Sequence, residues 1–245
     1  MASKQLAIDQ LVDQSQVDQP TKKQLKQTAA DFQHFYDVTG SFPGWNQLSS
    51  NELAIYVESL NQSGKSREQI NQEIQALSQL GDLLMTKGQI STNPLTLTAL
   101  YANYLKSERR YSDDTVTAYR EDLKAFQDFL THNGGFKGWN RVDRLDVQVY
   151  LTQLHDQHDA ETTVSRKVSS LRSFFNFLIK NHLAKQNPFD DVKIKKHPRS
   201  LPRYFYEPEM TALFKAADGE GKPLDYRNRA VLEILYDTGM RVGEC

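Results

Sequence analysis

A chain that repeats itself at one fixed offset has little freedom in its fold, because both copies must bury the same positions. Slid by 94 residues, positions 21–94 of this 245-residue chain align without a gap on 115–188. Thr21 falls on Thr115, and Phe32, Gln33 and Phe35 fall on Phe126, Gln127 and Phe129. Gly44-Trp45-Asn46 meets Gly138-Trp139-Asn140, and a closing Asn93-Pro94 meets Asn187-Pro188. Between the identities apolar residues match apolar ones, as Leu53 matches Val147 and Ile74 matches Val168. Scattered identities arise by chance; a shared Gly-Trp-Asn and a shared Asn-Pro at one offset point to an internal duplication.

Each copy reads as helices. Residues 113–131 set Val116, Tyr119, Leu123, Phe126 and Leu130 three and four apart, the period of a helix with one buried face. Ser112 is the expected N-cap, and Asn133-Gly134-Gly135 the stop. A second helix is expected over 143–155 with Leu145, Val149, Val142 and Leu154 inward, and a third over 162–181. A further helix over 95–108 precedes the second copy, and Trp45 and Trp139 are expected as core plugs. Residues 189–203, with three lysines and two prolines, read as a linker. Two more helices follow, over 207–217 and 226–237. The expected class is all-α, divided into 1–94, 95–188, the linker 189–203 and a last part 204–245.

Charge adds a functional hint. The chain's net charge is -1, yet 95–200 carries about +4 while both flanks are slightly acidic. No apolar run approaches the roughly 20 residues that span a bilayer, and the opening MASKQLAIDQLVDQ is too polar for a secretory signal. The single cysteine, Cys245, excludes an internal disulfide and suits a reducing cytosol. On the 162–181 helix, Arg166, Ser169, Ser170, Ser173, Asn176 and Lys180 share a polar face, flanked by Lys167 and Arg172. Arg109, Arg110, Arg120 and Lys124 add cations nearby, and Lys193, Lys195, Lys196 and Arg203 stand in the linker. Such a face suits phosphates and base edges in a major groove. The first copy lacks these cations: Arg166, Lys167, Arg172, Lys124 and Lys180 become Gln72, Glu73, Ser78, Ala30 and Thr86. The second copy is therefore the expected DNA-binding one.

Three stretches carry a family resemblance: YSDDTVTAYREDLKAFQDFL at 111–130, TTVSRKVSSLRSFFNFLIK with the closing NPF at 162–189, and YEPEMTALF followed by RNRAVLEILYDTGMRVGE at 206–244. In that order and spacing the chain resembles Xer-type tyrosine site-specific recombinases. The resemblance implies a SAM-like helical core-binding domain, divergently duplicated here, followed by the start of a mainly helical catalytic domain. It makes Arg241 the family's first catalytic arginine and Glu244 its supporting carboxylate. A guanidinium suits that role because it is planar, permanently charged and bidentate toward a phosphodiester whose oxygens gather charge in transesterification. Gly243 departs from the family, which usually has serine there.

The family's remaining motifs, including the nucleophilic tyrosine, are expected beyond Cys245. None of the 11 tyrosines sits in their context, so no nucleophile is assigned and the chain as given is expected to be inactive. The resemblance also implies double-stranded DNA as ligand, homo- or hetero-tetramers with a related recombinase, a cytoplasmic location, and no metal, cofactor or membrane. Two other readings stay open: a non-catalytic DNA-binding or architectural module, and a helical protein-interaction scaffold.

Overall fold

The computed structural model describes residues 2–40, 42–193 and 204–244, with side chains from Ile8 onward. Among the described residues there are helices and turns and no strand. The chain separates into two compact units, Met1–Lys196 and His197–Cys245.

The first unit holds both bundles. The first comprises α1 (Ala2–Asp13), α2 (Gln19–Thr39), α3 (Ser50–Gln62) and α4 (Arg67–Thr86). The second comprises α5 (Leu97–Ser107), α6 (Asp113–His132), α7 (Arg144–Asp156) and α8 (Glu161–Lys180). A single 3-10 turn, Trp45–Gln47 or Trp139–Arg141, precedes the third helix of each. Adding 94 to the bounds of α3, α4 and the first turn gives those of α7, α8 and the second turn.

The repeat extends to atoms. Asn93 donates to Ser78 O and Asn187 to Arg172 O, and each accepts the amide two residues on, from Leu95 and Phe189. The turn after α4 has amides 88 and 89 bonded to carbonyls 85 and 84; after α8, amides 182 and 183 bond to 179 and 178. The residue at that turn has positive φ in both, 67° at Gly88 and 59° at His182. Only glycine adopts that region without steric cost, so His182 is held there by its surroundings. The cores also correspond. Phe32 meets Tyr56 at 4.9 Å and Phe126 meets Tyr150 at 4.8 Å, while Trp45 and Trp139 each lie 33° from the plane of their phenylalanine. Both tryptophans are buried plugs.

Two details differ from the sequence reading. On α7 the inward residues are Val147, Tyr150 and Leu154, whereas Leu145 and Val149 are 65% and 45% exposed. The wheel admits either stripe, and the tyrosine-bearing one matches the Tyr56 stripe of α3. Phe189, placed in the linker, is wholly buried against Phe126 and Phe175. It closes the second bundle where Leu95 closes the first.

The bundles join through side chains of α3 and α4 that bond to the turn after α8. Asn61, Arg67 and Asn71 donate to the carbonyls of Asn181, His182 and Leu183 at 3.1, 2.8 and 2.9 Å. These carbonyls belong to the turn that follows α8, so the first bundle supplies the donors for that turn. Arg141 pairs with Glu68 at 2.6 Å, and Asn103 of α5 donates to Asn51 of α3.

The second unit is α9 (Glu207–Ala217) and α10 (Pro223–Thr238), touching through Phe214 and Tyr236. None of its described residues is buried.

Candidate nucleic-acid interface

The cationic residues of the second bundle do not form one free face. Arg166 reaches from α8 to α6, where its Nη1 lies 2.5 Å from Asp122 Oδ2. Asp122 is 3% exposed and also accepts from the Ser170 hydroxyl at 2.9 Å. Ser170, expected on the outer polar face, is therefore buried, its hydroxyl completing the shell of a buried carboxylate. The Arg166 side chain is 46% exposed, so part of its five-donor fork still faces outward.

Lys167 also has an internal partner. Its ammonium pairs with Asp159 at 2.7 Å. In the first bundle the corresponding pair is Lys65 with Glu73, the same bridge with its charges exchanged. The exchange of charge between positions 73 and 167 is thus matched by the opposite exchange between 65 and 159. Arg172 donates to the carbonyls of Phe189 and Val192 and so fixes the chain leaving α8. Lys180 lies 3.6 Å from Glu108 and 5.2 Å from the centre of the Tyr104 ring, its side chain largely exposed. Ser173 is half-buried, while Ser169 and Asn176 are exposed.

Arg120 and Lys124 are exposed and form no ion pair among the described residues. They line a shallow groove with Thr98, Thr117, Gln127 and one carboxylate, Glu121, on the flank of α6 turned away from Asp122. On the Asp122 side, Arg109 stacks 5.7 Å above Tyr111, which meets Tyr119 edge-on. Burial raises the Tyr119 phenol above its ordinary value, with the charge of Asp122 adding to it and Arg109 and Arg166 opposing it. The second bundle thus has two cationic flanks, Arg109 with Arg166 and Arg120 with Lys124. Lys193 is exposed. Lys195, Lys196 and Arg203 lie outside the described residues.

In the second unit α10 ends at Gly239, whose φ of 64° gives the left-handed cap of a Thr-Gly stop. Val242–Glu244 follows as a 3-10 turn. Glu244 accepts the Arg241 amide at 2.8 Å and its Nη1 at 3.4 Å, so the carboxylate closes the turn and lies beside the guanidinium. Beyond that contact the Arg241 side chain is 88% exposed. Among the described residues no cluster has metal-ligand character, and no helix is long and apolar enough to cross a membrane.

Sequence reasoning missed Asp122 and the bonds from α3 and α4 to the turn after α8. One signal for Asp122 was present: Asp122, Arg166 and Ser170 become Thr28, Gln72 and Ala76 together at the repeat offset.

Residues 99–182 match the family described as the phage integrase N-terminal SAM-like domain. The chain is 53% identical over 147 residues to a tyrosine recombinase XerC of Lacticaseibacillus casei, covering 60% of this chain and 49% of that protein. It is 53% identical over 154 residues to one of Pediococcus pentosaceus, covering 62% and 50%. It is 44% identical over 145 residues to one of Listeria innocua, covering 59% and 48%. The chain therefore spans about half the length of the curated relatives it matches. No solved structure matches it significantly.

Proposed function

From its kinship with Xer-type tyrosine recombinases, we propose that this chain is the DNA-binding portion of a site-specific recombinase, one that cuts and rejoins duplex DNA through a 3′-phosphotyrosyl intermediate. The observation that carries the reading is the Arg241 turn, which presents an open guanidinium backed by Glu244 immediately after a Thr-Gly helix stop. Arg241 binds the non-bridging oxygens of the scissile phosphate, and Glu244 positions it. The second bundle grips the duplex through Arg166, Arg120, Lys124 and Lys180. Arg166 is held by Asp122 with donors to spare, while Lys167, Ser170 and Arg172 shape the bundle. Ser173, Lys195 and Lys196 add further contacts to the duplex. The recombinase works as a homo- or hetero-tetramer with a related recombinase in the cytoplasm, in chromosome-dimer resolution or DNA integration. The repeat of the first unit is attributed to duplication of the core-binding domain over 1–94 and 95–188, with the catalytic domain beginning near 204.

The test is a titration of duplex DNA against salt. Arg120→Ala and Lys124→Ala are each expected to weaken binding uniformly across sequences and to lower the slope of log K on log salt by about 1. Unchanged slopes would remove these residues from the interface, and no binding at low salt would sink the reading. One observation favours a helical interaction scaffold instead: the internal partners of Lys167 and Arg172 leave fewer cations for a phosphate backbone.

A further inference from the structure

The interface between the bundles has two sides, and the repeat leaves one unpaired copy of each. The first bundle contributes the α3–α4 face, with Val57 and Ile70 buried and Asn61 and Asn71 donating. Shifted by 94, these four become Leu151, Val164, His155 and Ser165, and all four line a groove on α7 and α8. Leu151 and Val164 are only half-buried, although Val57 and Ile70 are buried. The second bundle contributes the Gly-Trp-Asn turn and the end of α8. Shifted back by 94, these become Gly44–Gln47 and Lys87–Gln89, and residues of both line a second groove beside Ile8.

We propose that copies of this chain join head to tail, the Trp45 and Gln89 end of one copy seating in the α7–α8 groove of the next. This rests on the 94-residue repeat and is independent of the DNA-binding reading. The occupant is a second copy because its first bundle carries the same turn, with the same hydrogen bonds and positive φ, that fills the corresponding face within one chain.

The polar contacts translate in kind. Asn71 donating to Leu183 O becomes the Ser165 hydroxyl donating to Gln89 O, and Asn61 on Asn181 O becomes the His155 ring on Lys87 O. The Glu68–Arg141 pair becomes Thr162 with Gln47, still polar but uncharged. One contact inverts: Arg67, a donor to His182 O, becomes Glu161, an acceptor facing Gly88 O. Contact between copies is therefore weaker than contact within the chain. It is heterologous, giving rings or open arrays instead of closed two-fold pairs.

The experiment uses the full chain in a Cys245→Ser background. Ser165→Cys and Gln89→Cys are made separately, mixed in equal amounts and treated with a short bis-maleimide. Covalent dimer is expected in the mixture and at least several-fold less from either variant alone. Val164→Glu in the Ser165→Cys partner, with its helicity unchanged by circular dichroism, is expected to abolish that product. Gln47→Glu in the Gln89→Cys partner is the second disrupting variant should Val164→Glu unfold. No dimer in the mixture, equal dimer from each variant alone, or dimer insensitive to a folded disrupting variant overturns the proposal.

Discussion

Replacing Arg166 by glutamine leaves the carboxylate of Asp122, 3% exposed, with the Ser170 hydroxyl as its remaining side-chain partner among the described residues. Removing one partner of a buried ion pair costs roughly 3–5 kcal/mol, because the other charge stays buried and uncompensated. Arg166 is 46% exposed, so water enters the vacated space and lowers the expected cost of Arg166→Gln to about 2 kcal/mol. For a unit of this size that is a fall in Tm of roughly 4–8 °C. The triple variant Asp122→Thr/Arg166→Gln/Ser170→Ala installs the residues that the first bundle already packs there, Thr28, Gln72 and Ala76. With no charge left to satisfy, it is expected within about 1 kcal/mol of the parent. Denaturant unfolding at unchanged slope reads both values. The reasoning is refuted if Arg166→Gln is neutral, or if the triple variant is as unstable as the single one. The folded triple variant then reports on Arg166 and DNA alone: loss of about one unit of salt slope means that the guanidinium also holds a phosphate.

Three further outcomes follow from the same geometry. Lys167→Glu faces Asp159 and is expected to cost about 1–2 kcal/mol, most of it recovered by Asp159→Lys, which recreates the orientation of Lys65 and Glu73; a denaturant double-mutant cycle without coupling would contradict this. Gly81→Ala drives a Cβ into the Asn93 carboxamide, which is held by Ser78, Asp82 and Leu95, and is expected to destabilise by about 1–3 kcal/mol in thermal or denaturant melts. Burial pushes the phenols of Tyr36, Tyr56, Tyr101 and Tyr150 above their ordinary value of 10.0, and for Tyr56 the charge of Glu73 adds to the effect. The raised folded values mean that this stabilisation is complete below about pH 10 and is lost as pH rises beyond it. The denaturation midpoint should therefore fall between about pH 9 and about pH 11, with phenolate absorbance from these four appearing only on unfolding.

Local order determined the bundles. Helix periodicity and Ser112 as a cap act within a few residues, and the Gly-Trp-Asn and Asn-Pro pairs mark boundaries at one offset, so the sequence alone was enough to place α6, α7 and α8 within one or two residues. The Thr-Gly stop and the Arg241 turn were legible for the same reason. The partners of a charge were not legible, because they lie far along the chain: Arg166 finds Asp122 44 residues away, and Arg67 finds His182 115 residues away. A helical wheel shows which way a side chain leaves its own helix but not what stands opposite. Only packing could bury Ser170, turn Arg172 onto the carbonyls of Phe189 and Val192, and expose Leu145. A charged group's function depends on that opposite wall, since a guanidinium already facing a buried carboxylate has fewer donors left for a phosphate.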